Sequence, residues 1–165
     1  SLVGSEMCIR DSLPADLKRD PTVARIAAEC FGNLGSGADA HRVIETAIEE
    51  QWDSQLVALY PECPADDIRE QIHRAERWLP AHQRDAVLLL ALGRLCGQAG
   101  LWGRSRNYFE ASLSVEPSHV AHLELAQLAQ RAGQLEEAEA HRRIALDLAL
   151  VQLRTISGGR RQTLL

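Results

Sequence analysis

Cys63 and Pro64 offer the sharpest local chemistry in this chain. A thiolate in a proline-stiffened turn can serve as an axial haem ligand, provided the sulfur is exposed, deprotonated and free of helix packing. Glu62, Asp66 and Asp67 oppose thiolate formation. The alternative reading is a passive cysteine in a proline-bounded turn. His119 and His122 stand three apart and share a helix face. Two ligands do not close a metal site, and no cysteine or second histidine pair stands at metal-binding spacing, so no metal site is assigned and solvated or groove-lining histidines are expected. His73, His82 and His141 are isolated in the sequence. The acidic pairs Asp66-Asp67 and Glu136-Glu137 fall at expected helix starts, where the helix dipole favours carboxylates. No glycine-rich phosphate loop, Gly-x-Ser-x-Gly elbow or His-Glu-x-x-His motif is present. No catalytic residue is assigned, and a non-enzymatic role is expected.

The elements that would position these residues follow from a repeat. Leu92-Gly93, Gly100, Ser105 and Ser112 are followed 33 residues later by Leu125-Ala126, Gly133, Ala138 and Ala145. A fixed period of this length, with small residues in fixed slots, marks a helix-turn-helix repeat of tetratricopeptide type. The same slots are filled earlier by Ala27-Ala28, Phe31, Gly35, Ala40, Ile44 and Ala47. Such a unit cannot bury its apolar face alone, so the expected architecture is an all-α solenoid of antiparallel helix pairs with a binding groove.

Six segments are expected: a leader (1–12), a first hairpin (13–51), a degenerate repeat (52–84), two tetratricopeptide repeats (85–118 and 119–156) and a flexible tail (157–165). Asp20-Pro21 caps the first hairpin. The degenerate repeat has a short helix from Trp52 to Leu59 and a Tyr60–Pro64 turn. Ala65-Asp66-Asp67 then opens a helix that runs to about Leu79, stopped by Pro80. Asp85 caps the next helix and Ser118 the one after Pro117. In the last repeat Leu123, Leu125, Ala126 and Leu128 are expected against Ala138, Ile144 and Ala145. The stripe continued by Leu148, Val151 and Leu153 is expected to cap the stack or to lie under further chain. Trp52, Trp78 and Trp102 are expected as core residues or inter-repeat wedges.

The 165 residues carry a net charge of −5 with the signs interspersed, and aromatic residues make up only 4%. No dense basic stripe marks a nucleic-acid surface, so no nucleic-acid partner is expected. Four scattered cysteines do not form a disulfide framework. No apolar run reaches membrane-spanning length. Residues Ser1–Ser12 look like translated sequencing-adapter read-through, so the chain is expected to be a fragment whose native N-terminus is missing.

The first helix of each hairpin in this architecture lines the concave face. That places Arg25, Val87, Leu90, Arg94, Gln98, Leu123, Gln127, Gln130 and Arg131 at a partner groove, with Glu29 and Asn33 beside it. Arg94 and Arg131 can bind carboxylates bidentately, on a peptide or a porphyrin propionate. A solvated polar face is the plainer alternative.

The wording from Trp52 onward is more specific than the repeat. Trp52-Asp53-Ser54, Ala75-Glu76-Arg77-Trp78-Leu79-Pro80, Leu92-Gly93-Arg94-Leu95-Cys96 and Leu101-Trp102-Gly103-Arg104-Ser105-Arg106 resemble the C-terminal repeat region of proteobacterial HemY. The resemblance covers about Leu13 to Leu150 and is strongest from Trp52 to Pro117. Gln83, where that family usually has proline, and Arg142, where the repeat has an apolar residue, depart from the pattern. The resemblance implies a scaffold for enzymes of late haem synthesis. It also implies a parent held at the cytoplasmic face of the bacterial inner membrane by two N-terminal helices that this chain lacks. Direct haem or porphyrin binding through Cys63, and a generic adaptor with no haem connection, are the alternatives.

Overall fold

A computed structural model of the chain describes residues 37–63 and 66–162. Among these are seven α-helices, one 3-10 turn and no strand. The helices are α1 (Gly37–Glu50), α2 (Ser54–Leu59), α3 (Ile68–Glu76), α4 (Ala86–Gln98), α5 (Trp102–Val115), α6 (His119–Arg131) and α7 (Leu135–Gln162), with the 3-10 turn at Tyr60–Glu62. The leader, the Asp20-Pro21 cap, the repeat slots from Ala27 to Gly35, and Arg25, Glu29 and Asn33 lie outside the described residues. So does Pro64. The chain divides into two compact units, 1–71 and 72–165.

In the first unit, α1 buries His41, Ile44, Ala47 and Ile48, one face at helical spacing. Asp53 caps α2 by accepting from the Gln55 N–H at 2.8 Å, and Leu56 and Val57 are fully buried. Pro61 then enters the 3-10 turn at its first positions, where its missing N–H costs nothing. Asp67 caps α3 through the Arg69 N–H at 2.9 Å. That helix passes into the second unit at Ile72 and ends there at Glu76, three residues before the expected Leu79. Trp78 and Leu79 already bond three residues back, to Ala75 and Glu76.

The second unit holds two successive helix hairpins whose caps and turns repeat in register. Asp85 accepts from the Val87 and Leu88 N–H groups at 2.9 and 3.0 Å. Ser118, 33 residues on, accepts from Ala121 at 3.3 Å. Gly100 and Gly133 both have positive φ, 73° and 76°. Beyond them the Leu101 N–H reaches Cys96 O at 2.8 Å and the Gln134 N–H reaches Ala129 O at 2.9 Å. This is the six-to-one bond of a Schellman cap, which needs a left-handed residue and therefore favours glycine.

Between α4 and α5 the core is Leu88, Leu92, Leu95 and Cys96 against Ser105, Phe109 and Ser112. Gly93 makes this packing fit: a Cβ there would sit 2.4 Å from Phe109 Cε1. Ser105 Oγ donates to the Gly93 carbonyl at 2.7 Å, and Ser112 Oγ to Ala86 O at 2.8 Å. The same slots in the second hairpin hold Ala126, Ala138 and Ala145, all buried. The partner of Phe109 there is Arg142, exposed and bonded to Gln130. A methyl at 126 takes the space an aromatic ring at 142 would need, which accounts for the departure noted at Arg142.

Three expectations for the last repeat are corrected. Leu123 and Ile144 are each 44% exposed and do not join the core. Of the two readings of the later α7 stripe, packing back as a cap is not met: Val151 and Leu153 are exposed, as are Leu146, Leu150 and Ile156. And α7 runs to Gln162, through the segment expected as a flexible tail. Leu150 stands where the preceding repeat has Pro117, so nothing stops the helix there. Gly158-Gly159 costs about 1 kcal/mol per glycine in a helix interior, which weakens a helix without forbidding it.

Candidate protein-binding face

The face expected to bind lies on α4 and α6. Equivalent slots of the two repeats pair Leu90 with Leu123, Arg94 with Gln127 and Gln98 with Arg131, each 33 residues apart. Val87, Leu90 and Arg94 are half-buried; Gln98, Leu123, Gln127, Gln130 and Arg131 are exposed. On α6, residues 123, 127, 130 and 131 fall on one helical face.

Neither cation of this face is a simple open site. Arg94 Nε donates to Glu124 Oε1 at 2.7 Å, tying α4 to α6. The Arg131 guanidinium lies over the Trp102 ring, 5.1 Å from its centroid. Trp102 is itself 48% exposed, so it is not a core residue; its ring meets Arg131 of the next repeat. Recognition of a carboxylate by Arg94 must therefore compete with Glu124, a term that sequence spacing does not reveal.

Around this face the hairpins are tied by further charge pairs. Glu76 of α3 accepts from the Tyr108 hydroxyl at 2.7 Å and from Arg104, both on α5. Burial and Glu76 push the Tyr108 phenol up to about 12. Arg106 of α5 bonds Glu110 one turn on and Glu137 at the start of α7. Glu137 thus serves both the helix dipole, as expected of an acidic pair there, and the joint between hairpins.

Cys63 does not meet the requirements set for a haem ligand. It is 5% exposed. Burial, with Glu62 adding to it, pushes its thiol above the ordinary range, which suppresses the thiolate. Its carbonyl is held 2.5 Å from His41 Nε2. Cys96 is equally a buried thiol, raised chiefly by burial. The passive-cysteine alternative is the one the geometry fits.

His141, isolated in the sequence, finds a partner in the fold. His122 meets not His119 but His141 of α7, Nδ1 to Nδ1 at 2.9 Å. Sequence spacing could not find this pair, because its members lie on different helices. No group of three or more metal-ligating side chains forms among the described residues. No helix among them is long and apolar enough to cross a membrane.

Neither a family model nor a curated protein matches this chain. Solved structures do match by shape. One crystal structure of MamA superposes with a TM-score of 0.61 at 16% identity, over 84% of this chain and 85% of that one. MamA AMB-1 gives 0.58 at 18% identity, covering 89% of each chain. MamA 41-end from Desulfovibrio magneticus RS-1 gives 0.58 at 15% identity, over 90% of this chain and 92% of that one. MamA is a helical protein of tetratricopeptide type. Identity this low carries the fold alone. With the repeated caps, glycine turns and small-residue slots, it establishes an all-α helical-repeat fold of tetratricopeptide type.

Proposed function

We propose that this chain is a protein-interaction adaptor that receives a segment of another protein across α4 and α6. The observation that carries the reading is the Arg94–Glu124 bond, which links the first helices of two successive repeats, α4 and α6. The face so formed has an exposed leucine, Leu123, among Gln98, Gln127, Gln130 and Arg131. An apolar contact ringed by hydrogen-bonding side chains is the composition of a protein-binding surface. Val87 and Leu90 supply the half-buried floor.

The test substitutes exposed residues only. Arg94→Glu would leave Glu124 facing a like charge and confound binding with stability. Leu123→Glu with Gln127→Glu alters the face without touching the core. Wild-type and doubly substituted chains are compared as baits in a bacterial membrane extract, with bound proteins identified by mass spectrometry. Loss of specific partners from the folded variant is the expected result. Identical partner sets at equal yield would refute the α4–α6 face.

A narrower reading rests on the HemY-like wording from Trp52 to Pro117. Under it the partners are enzymes of late haem synthesis, and the parent protein sits at the cytoplasmic face of the inner membrane. Haem-pathway enzymes among the captured proteins would support it. Unrelated clients alone would leave the generic adaptor.

A further inference from the structure

The His122–His141 pair lies outside the proposed binding face and joins the two helices of the last hairpin. The ring centroids are 5.1 Å apart, the planes are tilted by 38°, and the Nδ1 atoms approach to 2.9 Å. Two imidazole nitrogens this close share one proton: one ring donates its N–H and the other accepts on its lone pair. Burial, then the neighbouring His141, holds His122 below the ordinary histidine range. Neutral imidazoles are the form that ligates metal.

We propose that His122 and His141 form an interhelical metal site that takes one divalent ion of imidazole-preferring type, such as zinc or cobalt, in place of the shared proton. The spacing fits. With nitrogen–metal bonds of about 2.1 Å and each nitrogen ~1.15 Å from its ring centroid, centroids held at 5.1 Å give an N–metal–N angle near ~100°. The two nitrogens then stand ~3.3 Å apart, so each ring turns by roughly 20° from its present hydrogen-bond axis to admit the ion. The ring that carried its proton on Nδ1 shifts it to Nε2, so no net proton is released.

The surroundings suit this state. Glu137, one turn before His141, places Oε1 3.9 Å from His141 Nε2, the nitrogen that must keep its proton when Nδ1 binds metal. A carboxylate in that position favours the required tautomer. Arg106 of α5 holds Glu137 from its other side. The His141 side chain is 19% exposed, and with two protein ligands the remaining coordination positions fall to water. With no third protein ligand among the described residues, the site is open and exchangeable. Its effect is to staple α6 to α7.

The test uses the full chain. Calorimetric titration with zinc chloride, repeated with cobalt chloride under visible absorption, should show one ion per chain bound through nitrogen and oxygen. His122→Ala and His141→Gln should each weaken binding at least tenfold, while His119→Ala should not. Circular dichroism confirms that each variant is folded. Three results would overturn the site: no binding at millimolar metal, equal affinity in folded His141→Gln, or a cobalt–thiolate charge-transfer band showing that cysteine binds the ion instead.

Discussion

Gly93→Ala tests the packing on which the first complete hairpin depends. An added Cβ would lie 2.4 and 2.5 Å from Phe109 Cε1 and Cδ1, more than an ångström inside normal contact. Phe109 is 2% exposed and shares its core with Leu88 and Leu92, so its ring has nowhere to retreat. Overpacking of this kind costs about 3 kcal/mol at its upper range. The glycine-to-alanine change in a helix returns about 1 kcal/mol. A net loss of about 2 kcal/mol is expected, read as a lower urea midpoint by circular dichroism at 222 nm with an unchanged slope. The cause is isolated by a double-mutant cycle with Phe109→Leu. Phe109→Leu removes the ring atoms that clash, so Gly93→Ala should then be neutral or slightly stabilising. If Gly93→Ala stabilises the wild-type chain, or costs the same with and without the phenylalanine, the close-approach argument fails.

The remaining expectations concern backbone, helix length and pH. Gly100→Ala and Gly133→Ala should each cost about 1–2 kcal/mol, because φ is positive at both while a Cβ would meet nothing within 4 Å; thermal melts showing no loss would mean the Schellman turns are not needed. Leu150→Pro should end α7 near the point where Pro117 follows α5, with a clear drop in helical ellipticity. The unfolding midpoint should move by much less than the roughly 3 kcal/mol of an interior proline, since the segment beyond is exposed; a full-sized loss would show that this segment is packed after all. His122 has a folded pKa below its ordinary 6.5, so the unfolded chain takes up a proton first as pH falls. Stability should therefore decline from about pH 6.5 downward until the folded-state pKa is passed, and His122→Gln should flatten that part of a melting-temperature profile. Glu137, Glu124, Arg106 and Arg94 are left in place by this variant, so a profile unchanged by it would remove His122 as the cause.

What could be read from the sequence was local. A cap needs one side-chain oxygen and an N–H two or three residues on, so Asp85 and Ser118 announced the starts of α4 and α6. A left-handed turn needs glycine, so Gly100 and Gly133 announced the hairpin corners. The 33-residue period then fixed which residues of one hairpin correspond to which of the next, and with it the slots on α4 and α6 offered as a binding face. Tertiary packing decided everything that depends on a neighbour from another element. It buried Cys63 and so suppressed the thiolate its turn seemed to offer. It gave His122 a partner on α7 rather than on its own helix, gave Arg94 to Glu124, and laid Arg131 over Trp102. It also explained Arg142 through the methyl of Ala126. The physical reason is range: caps and turns act over a few residues of backbone, whereas burial, charge pairing and side-chain fit depend on atoms that the chain brings together only after it has folded.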